Sequence, residues 1–158
     1  MKKRFKNVAV GGTFDELHKG HRALIIKAFE VGQQVSVGLS VDELVQKMRK
    51  PHKVATYDVR LEELKNFLRR RGLLERAEFV PLYDRFGITL SSNELDALVV
   101  SQETESVALE INKKRRAKGL HSLNIILISM IPAEDHVPIS TGRIRSLEID
   151  REGKLLKP

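Results

Sequence analysis

Cysteine and tryptophan are both absent from this 158-residue chain. Without cysteine there is no disulfide, no thiolate nucleophile and no cysteine-built zinc site. Aromatic residues make up only 5% of the chain, which leaves few platforms on which the bases of a single strand could stack. No apolar run approaches the roughly 20 residues needed to cross a bilayer. The basic start Met1-Lys2-Lys3-Arg4 is not followed by a hydrophobic stretch, so no secretory signal is expected and the cytosol is the expected compartment. Low-complexity tracts, internal repeats and linkers are also missing, so residues 1–158 read as one domain.

What is present is a charged, regularly patterned chain. The 28 basic residues outnumber the 21 acidic ones, for a net charge of +7. That excess suits a polyanion such as a nucleotide, a phosphate or RNA, without separating them. The length is enough to bury about two-thirds of the unfolded surface. Strands are expected at 5–10, 34–40, 77–82, 98–101 and 123–129, the last being very apolar. Helices are expected at 19–31, 41–48 (capped by Ser40), 57–71 and 103–118, with Gly32, Gly72 and Gly119 as stops. A loop between Pro132 and Pro138 leads to a last short helix opened by Ser140. Alternation of this kind predicts an α/β, Rossmann-like fold: a parallel five-stranded sheet with helices on both faces.

The first strand runs into Gly11-Gly12-Thr13-Phe14-Asp15-Glu16-Leu17-His18-Lys19-Gly20-His21. Two residues without Cβ let backbone N–H groups approach a phosphate, and the N-terminus of the next helix favours anions. His18 and His21 are three apart, so on a first helical turn they share a face and can both donate to one phosphate. No Gly-Lys-Ser/Thr follows, so this is not a P-loop. The third glycine is misplaced for a dinucleotide fingerprint. Two histidines without a third ligand make a poor zinc site, and no protein metal site is expected.

This segment resembles the signature of the nucleotidyltransferase superfamily with the His-x-Gly-His motif. A second phosphate-binding candidate is Ile139-Ser140-Thr141-Gly142-Arg143-Ile144-Arg145. Its Ser/Thr pair suits a helix start, and its arginines can grip phosphate through paired N–H donors. The plainer reading is a capped helix with exposed arginines. It resembles the Ile-Ser-Ser-Thr-x-Ile-Arg element of the same superfamily, in which a threonine usually stands where this chain has Gly142.

Three further runs are similar to the archaeal and eukaryotic type of phosphopantetheine adenylyltransferase: Val99-Val100-Ser101-Gln102-Glu103-Thr104, Pro81-Leu82-Tyr83-Asp84-Arg85-Phe86-Gly87 and Ile149-Asp150-Arg151-Glu152-Gly153. The first departs from the family at Gln102 and the second at Arg85. The resemblance implies transfer of the adenylyl group of ATP to 4′-phosphopantetheine, with Mg²⁺ accompanying the triphosphate on few protein ligands. It implies that Thr13 orients the acceptor phosphate, His21 stabilises the transition state and His18 binds nucleotide phosphates. Gly11, Gly12, Phe14, Ser101, Glu103, Thr104, Ile139, Ser140, Thr141, Gly142, Arg143 and Arg145 join the nucleotide site. A lysine from the basic loop after the second strand, Lys47 or Lys50, reaches the reacting phosphates, Lys50 also on the acceptor side.

Other readings stay open. Asp15 reads as a brace for the glycine turn, and the Arg69–Arg71 and Lys113–Arg116 clusters as cations on helix C-termini. Another nucleotidyltransferase, making CDP-glycerol, CDP-choline, FAD or a nicotinamide nucleotide, would share the first motif. A non-catalytic nucleotide- or RNA-binding module fits the charge, but no RNA-recognition signature accompanies it. No nucleic-acid or membrane partner is expected, and the sequence does not specify an oligomeric state.

Overall fold

The computed structural model describes residues 3–156; Met1 and Lys2 of the basic start lie outside them. Five strands form one parallel sheet: β1 (Phe5–Gly12), β2 (Gly32–Ser40), β3 (Ala77–Leu82), β4 (Ala97–Ser101) and β5 (Asn124–Ile128). Their order is β3-β2-β1-β4-β5. The chain therefore winds outward from β1 to one edge, then returns to start β4 on its other side. That reversal opens a crevice at the carboxyl ends of β1 and β4, where such sheets bind ligands.

The helices are α1 (Lys19–Val31), α2 (Asp42–Lys47), α3 (Tyr57–Arg70), α4 (Glu105–Ala117) and α5 (Thr141–Arg145). Alternation along β1 divides the core between the two faces. Val8 and Val10 pack with Ile25, Phe29, Leu64 and Leu68, whereas Ala9 packs with Leu98, Val100, Ala108 and Ile111. A third cluster of Ala133, Ile139, Ile144 and Ile149 seats α5. Among the described residues, no helix is long and apolar enough to cross a membrane.

Close approach explains two of the glycines. α1 passes into β2 with no loop, and a Cβ on Gly32 would lie 2.6 Å from Cγ2 of Val8. Gly153 has φ +84°, and its Cβ would lie 3.0 Å from Cα of Ala133. It lets the C-terminal tail turn tightly over the cluster that carries α5.

Most element bounds match the sequence expectation, and two differences have physical causes. Ser40 does not cap α2. Its hydroxyl is directed to the Gly12 carbonyl, and Val41 stands at the cap position without a side-chain bond. α4 begins at Glu105 because Ser101–Thr104 closes a turn first, with the Ser101 N–H donating to Thr104 Oγ1. The apolar strand β5 lies at the sheet edge, where Asn124 and Leu127 are exposed.

Candidate active site

Beyond Gly12 the backbone takes an uncommon path. Phe14, Glu16 and Leu17 all have positive φ, at 52°, 65° and 24°. Non-glycine residues hold such angles only where the surroundings over-determine them. Here the brace is Asp15, which is buried. Its carboxylate accepts from the Ala55 N–H at 3.0 Å and from Arg145 at 2.9 Å, and its carbonyl accepts from Thr141 Oγ1. Asp15 thereby joins the glycine turn, the basic loop and α5, as its bracing role requires.

α1 starts on a reciprocal cap. His18 Nδ1 accepts the His21 N–H and His21 Nδ1 accepts the His18 N–H, each at 3.3 Å. The two rings stack with centroids 3.6 Å apart, and the Phe14 ring meets His21 edge-on. A neutral imidazole that accepts at Nδ1 carries its proton on Nε2. Both rings therefore present N–H donors away from the helix.

The histidines are held neutral. Burial, reinforced by the positive charges of Arg22 and Arg151 and opposed by Asp15, lowers the His18 pKa to about 4. Burial, then His18 and Lys50, push His21 well below the ordinary histidine value. The sign of the linkage follows. An unfolded histidine binds a proton below about pH 6.5, whereas the native ring does not until about pH 4. The His18 contribution to stability is complete above pH 6.5, is lost as the pH falls towards 4, and is level below. Its size is on the order of 3 kcal/mol. Urea midpoints should fall more steeply over that window in the native chain than in His18→Gln; parallel midpoints would contradict the assignment.

Two chambers open over this turn. The first, about 350 Å³, is lined by Gly11, Gly12, Thr13, Phe14 and Thr104 and by the apolar side chains Leu44, Met48, Leu82, Phe86 and Ile88. The second, about 230 Å³, is lined by His18, His52, Ile139, Ser140 and Gly142 and by Ile128, Met130 and Ile131. His21, Leu24, Lys50, Ser101, Glu103 and Thr141 line both. The junction thus gathers donors from α1, from the basic loop and from α5.

Not every expected residue reaches it. Lys47 is exposed on α2 and lines neither chamber. The two arginines expected to grip phosphate are engaged elsewhere. Arg143 binds Glu148, Asp135 and the carbonyls of Val137 and Pro138. Arg145 pairs with Asp15 and Glu16. Neither lines a chamber, because each is fixed by carboxylates that shape its own loop or the glycine turn. Ser140 caps α5 by accepting the Arg143 N–H.

One supporting residue escapes the sequence reading. Arg60 is 1% exposed. It donates to the carbonyls of Thr13 at 3.0 Å, Ser40 at 2.8 Å and Ala55 at 2.8 Å, and pairs with Asp42 at 3.0 Å. Its signal was the spacing of 60, 64 and 68, which puts it on the buried stripe with Leu64 and Leu68.

A parallel sheet with its ligand crevice at the strand reversal, a glycine turn and two neutral imidazoles at a helix start define a nucleotide-phosphate-handling α/β protein. The chain belongs to the cytidylyltransferase-like family, whose model matches residues 9–147. It is 44% identical over 93% of its length to a phosphopantetheine adenylyltransferase from Methanopyrus kandleri, covering 92% of that protein. It is 43% identical over 99% of its length to another from Methanothermobacter thermautotrophicus, covering 93% of that one. Among solved structures, it is similar to a protein of unknown function from Archaeoglobus fulgidus, with 34% identity and a TM-score of 0.70. That likeness covers 77% of this chain and 88% of the other.

Proposed function

We propose that the chain transfers the adenylyl group of ATP to 4′-phosphopantetheine, giving dephospho-coenzyme A and pyrophosphate, a step of coenzyme A synthesis. The observation that carries this reading is the meeting of two unlike chambers at His21, Lys50 and Thr141. The mostly apolar first chamber suits the pantetheine arm, so Gly11, Gly12, Phe14 and Thr104, expected on the nucleotide side, fall on the acceptor side in this reading. The second, lined by imidazoles and hydroxyls beside an apolar strip, suits a nucleoside triphosphate.

In this reaction an oxygen of the acceptor phosphate attacks the α-phosphorus of ATP. One P–O bond forms, the bond to the β-phosphate bridge breaks, and pyrophosphate leaves with the electron pair. Catalysis then rests on positioning and charge stabilisation. Thr13 orients the acceptor phosphate at the floor of the first chamber. His21 donates from Nε2 to the charge developing on the α-phosphoryl group, and His18 donates to nucleotide phosphates. Ser140, Thr141 and the backbone after them hold the terminal phosphates. A Mg²⁺ ion bound with the triphosphate would supply charge neutralisation there. Glu103, which lines both chambers, is the carboxylate available to such an ion, which phosphate oxygens and water would otherwise hold.

A pyrophosphate-release assay should be run with ATP and CTP, each crossed with phosphopantetheine and glycerol 3-phosphate. Turnover is expected only with ATP and phosphopantetheine. Turnover with CTP and glycerol 3-phosphate alone would overturn the reading. Lys50, which lines both chambers, is the loop lysine assigned to the reacting phosphates. Lys50→Ala should lower kcat/KM by about 10²-fold, in the range for losing one charge-stabilising donor, with Lys47→Ala within about twofold. Equal effects of the two variants would contradict the assignment.

A further inference from the structure

His52 has no part in the roles above, yet it lines the second chamber with His18, His21 and Lys50. Its loop is not free to drift. The Ala55 N–H is held by Asp15 and the Ala55 carbonyl by Arg60, so the segment carrying His52 is tied to the glycine turn. The ring is also oriented. Nδ1 lies 3.1 Å from the Lys53 carbonyl oxygen, and a carbonyl only accepts, so Nδ1 donates there. On the opposite edge, Cδ2 faces α5: a Cβ placed on Gly142 would lie 3.7 Å from it.

Its position within the chamber indicates what it meets. His52, Ser140 and Gly142 line the second chamber and not the first. They are therefore set back from the junction where the acceptor attacks. His52 lies against Gly142, and so on the hydroxyl-lined side of the chamber. Resting on the nucleotide reading of that chamber, we infer that His52 is a further phosphate-binding residue: from the loop, its Nε2 grips the departing pyrophosphate end of the triphosphate beside Ser140 and Thr141. With Nδ1 donating to the Lys53 carbonyl, a donation from Nε2 is made by the imidazolium form, so the contact is a charge-assisted hydrogen bond.

The test is calorimetric binding of ATP, AMP and inorganic pyrophosphate to the full chain and to His52→Ala and His52→Gln. His52→Ala should weaken ATP and pyrophosphate by about 10- to 100-fold, the effect of one hydrogen bond to a charged group. AMP, which lacks the departing phosphates, should change less than about twofold. His52→Gln, whose amide nitrogen stands near the position of Nε2, should recover most of the loss. A residue that merely shaped the loop would weaken AMP as much as ATP, and glutamine would not rescue it. Unchanged ATP and pyrophosphate affinities, or equal loss for AMP, would overturn the inference. If the native chain took CTP rather than ATP, the functional reading above would fail, and the pyrophosphate titration would still decide His52.

Discussion

Replacing His21 by alanine should lower kcat by about 10²–10³-fold while the KM for ATP changes little. The expectation follows from where the ring sits and how it is held. His21 lines both chambers. Its Nδ1 is occupied by the His18 N–H, which fixes its proton on Nε2, and burial keeps the ring neutral. In the proposed reaction it would act as a preorganised donor, with no rearrangement needed as charge moves onto the α-phosphoryl oxygens. Donors of that kind act on the transition state more than on the bound substrate, so kcat should bear the loss. The variant removes an acceptor for one helix-start N–H, so circular dichroism and the urea midpoint should accompany the kinetics. Unchanged kcat in a folded His21→Ala protein would remove this residue from the mechanism.

The second large effect is on stability. Arg60→Ala should destabilise the fold by about 3–5 kcal/mol, the scale for removing one partner of a buried charged network. Three carbonyls and Asp42 converge on this guanidinium. Truncation leaves the buried Ser40 carbonyl without this donor, at a cost of about 1–3 kcal/mol before any relaxation, and the partly buried Thr13 and Ala55 carbonyls at a smaller one. The total is a large share of the roughly 5–15 kcal/mol that stabilises an ordinary domain. Arg60→Lys should restore only part of it, because an ammonium cannot reproduce the planar fork that spans Thr13, Ser40 and Ala55. The measurement is the urea midpoint at pH 7.5. A loss below about 1 kcal/mol for alanine would show that the network is dispensable.

Both predictions concern the same turn, and they show how legible it was. That a glycine pair, followed by histidines three apart, leads into a helix start carrying both imidazoles could be read directly. The reciprocal cap between His18 and His21 is a local arrangement set by that spacing. Arg60 was less legible. Charged residues are rarely fully buried, so a 60, 64, 68 stripe with arginine at its head reads as a helix with a polar edge. Arg115 is a parallel case. Within a basic run at the end of α4 it read as a cation near a helix C-terminus, but it is wholly buried and donates to the carbonyls of Thr89, Ser92 and His121. In both, the deciding partners are carbonyls 5 to 47 residues away in sequence, which a local pattern does not reveal.

The arginines of the last helix make the converse point. Ser140, Thr141, Arg143 and Arg145 formed one candidate phosphate grip in the sequence. The fold brings the hydroxyls to the second chamber and turns the guanidiniums onto carboxylates. Arg145 becomes a strut between α5 and the glycine turn because Asp15, 130 residues earlier, is buried there and must be paired.

The sequence by itself determined the alternation of strands and helices, the parallel sheet and the glycine turn with its two imidazoles. These depend on hydrophobic period, stop residues and spacings of three or four, all of which act within a few residues. Only the tertiary structure decided that Lys50 rather than Lys47 meets the junction, that Asp15 and Arg60 hold the turn, that the arginines of α5 are braces, and that His52 faces Gly142. Those facts depend on which distant carbonyls and carboxylates are desolvated together, and burial far along the chain sets that.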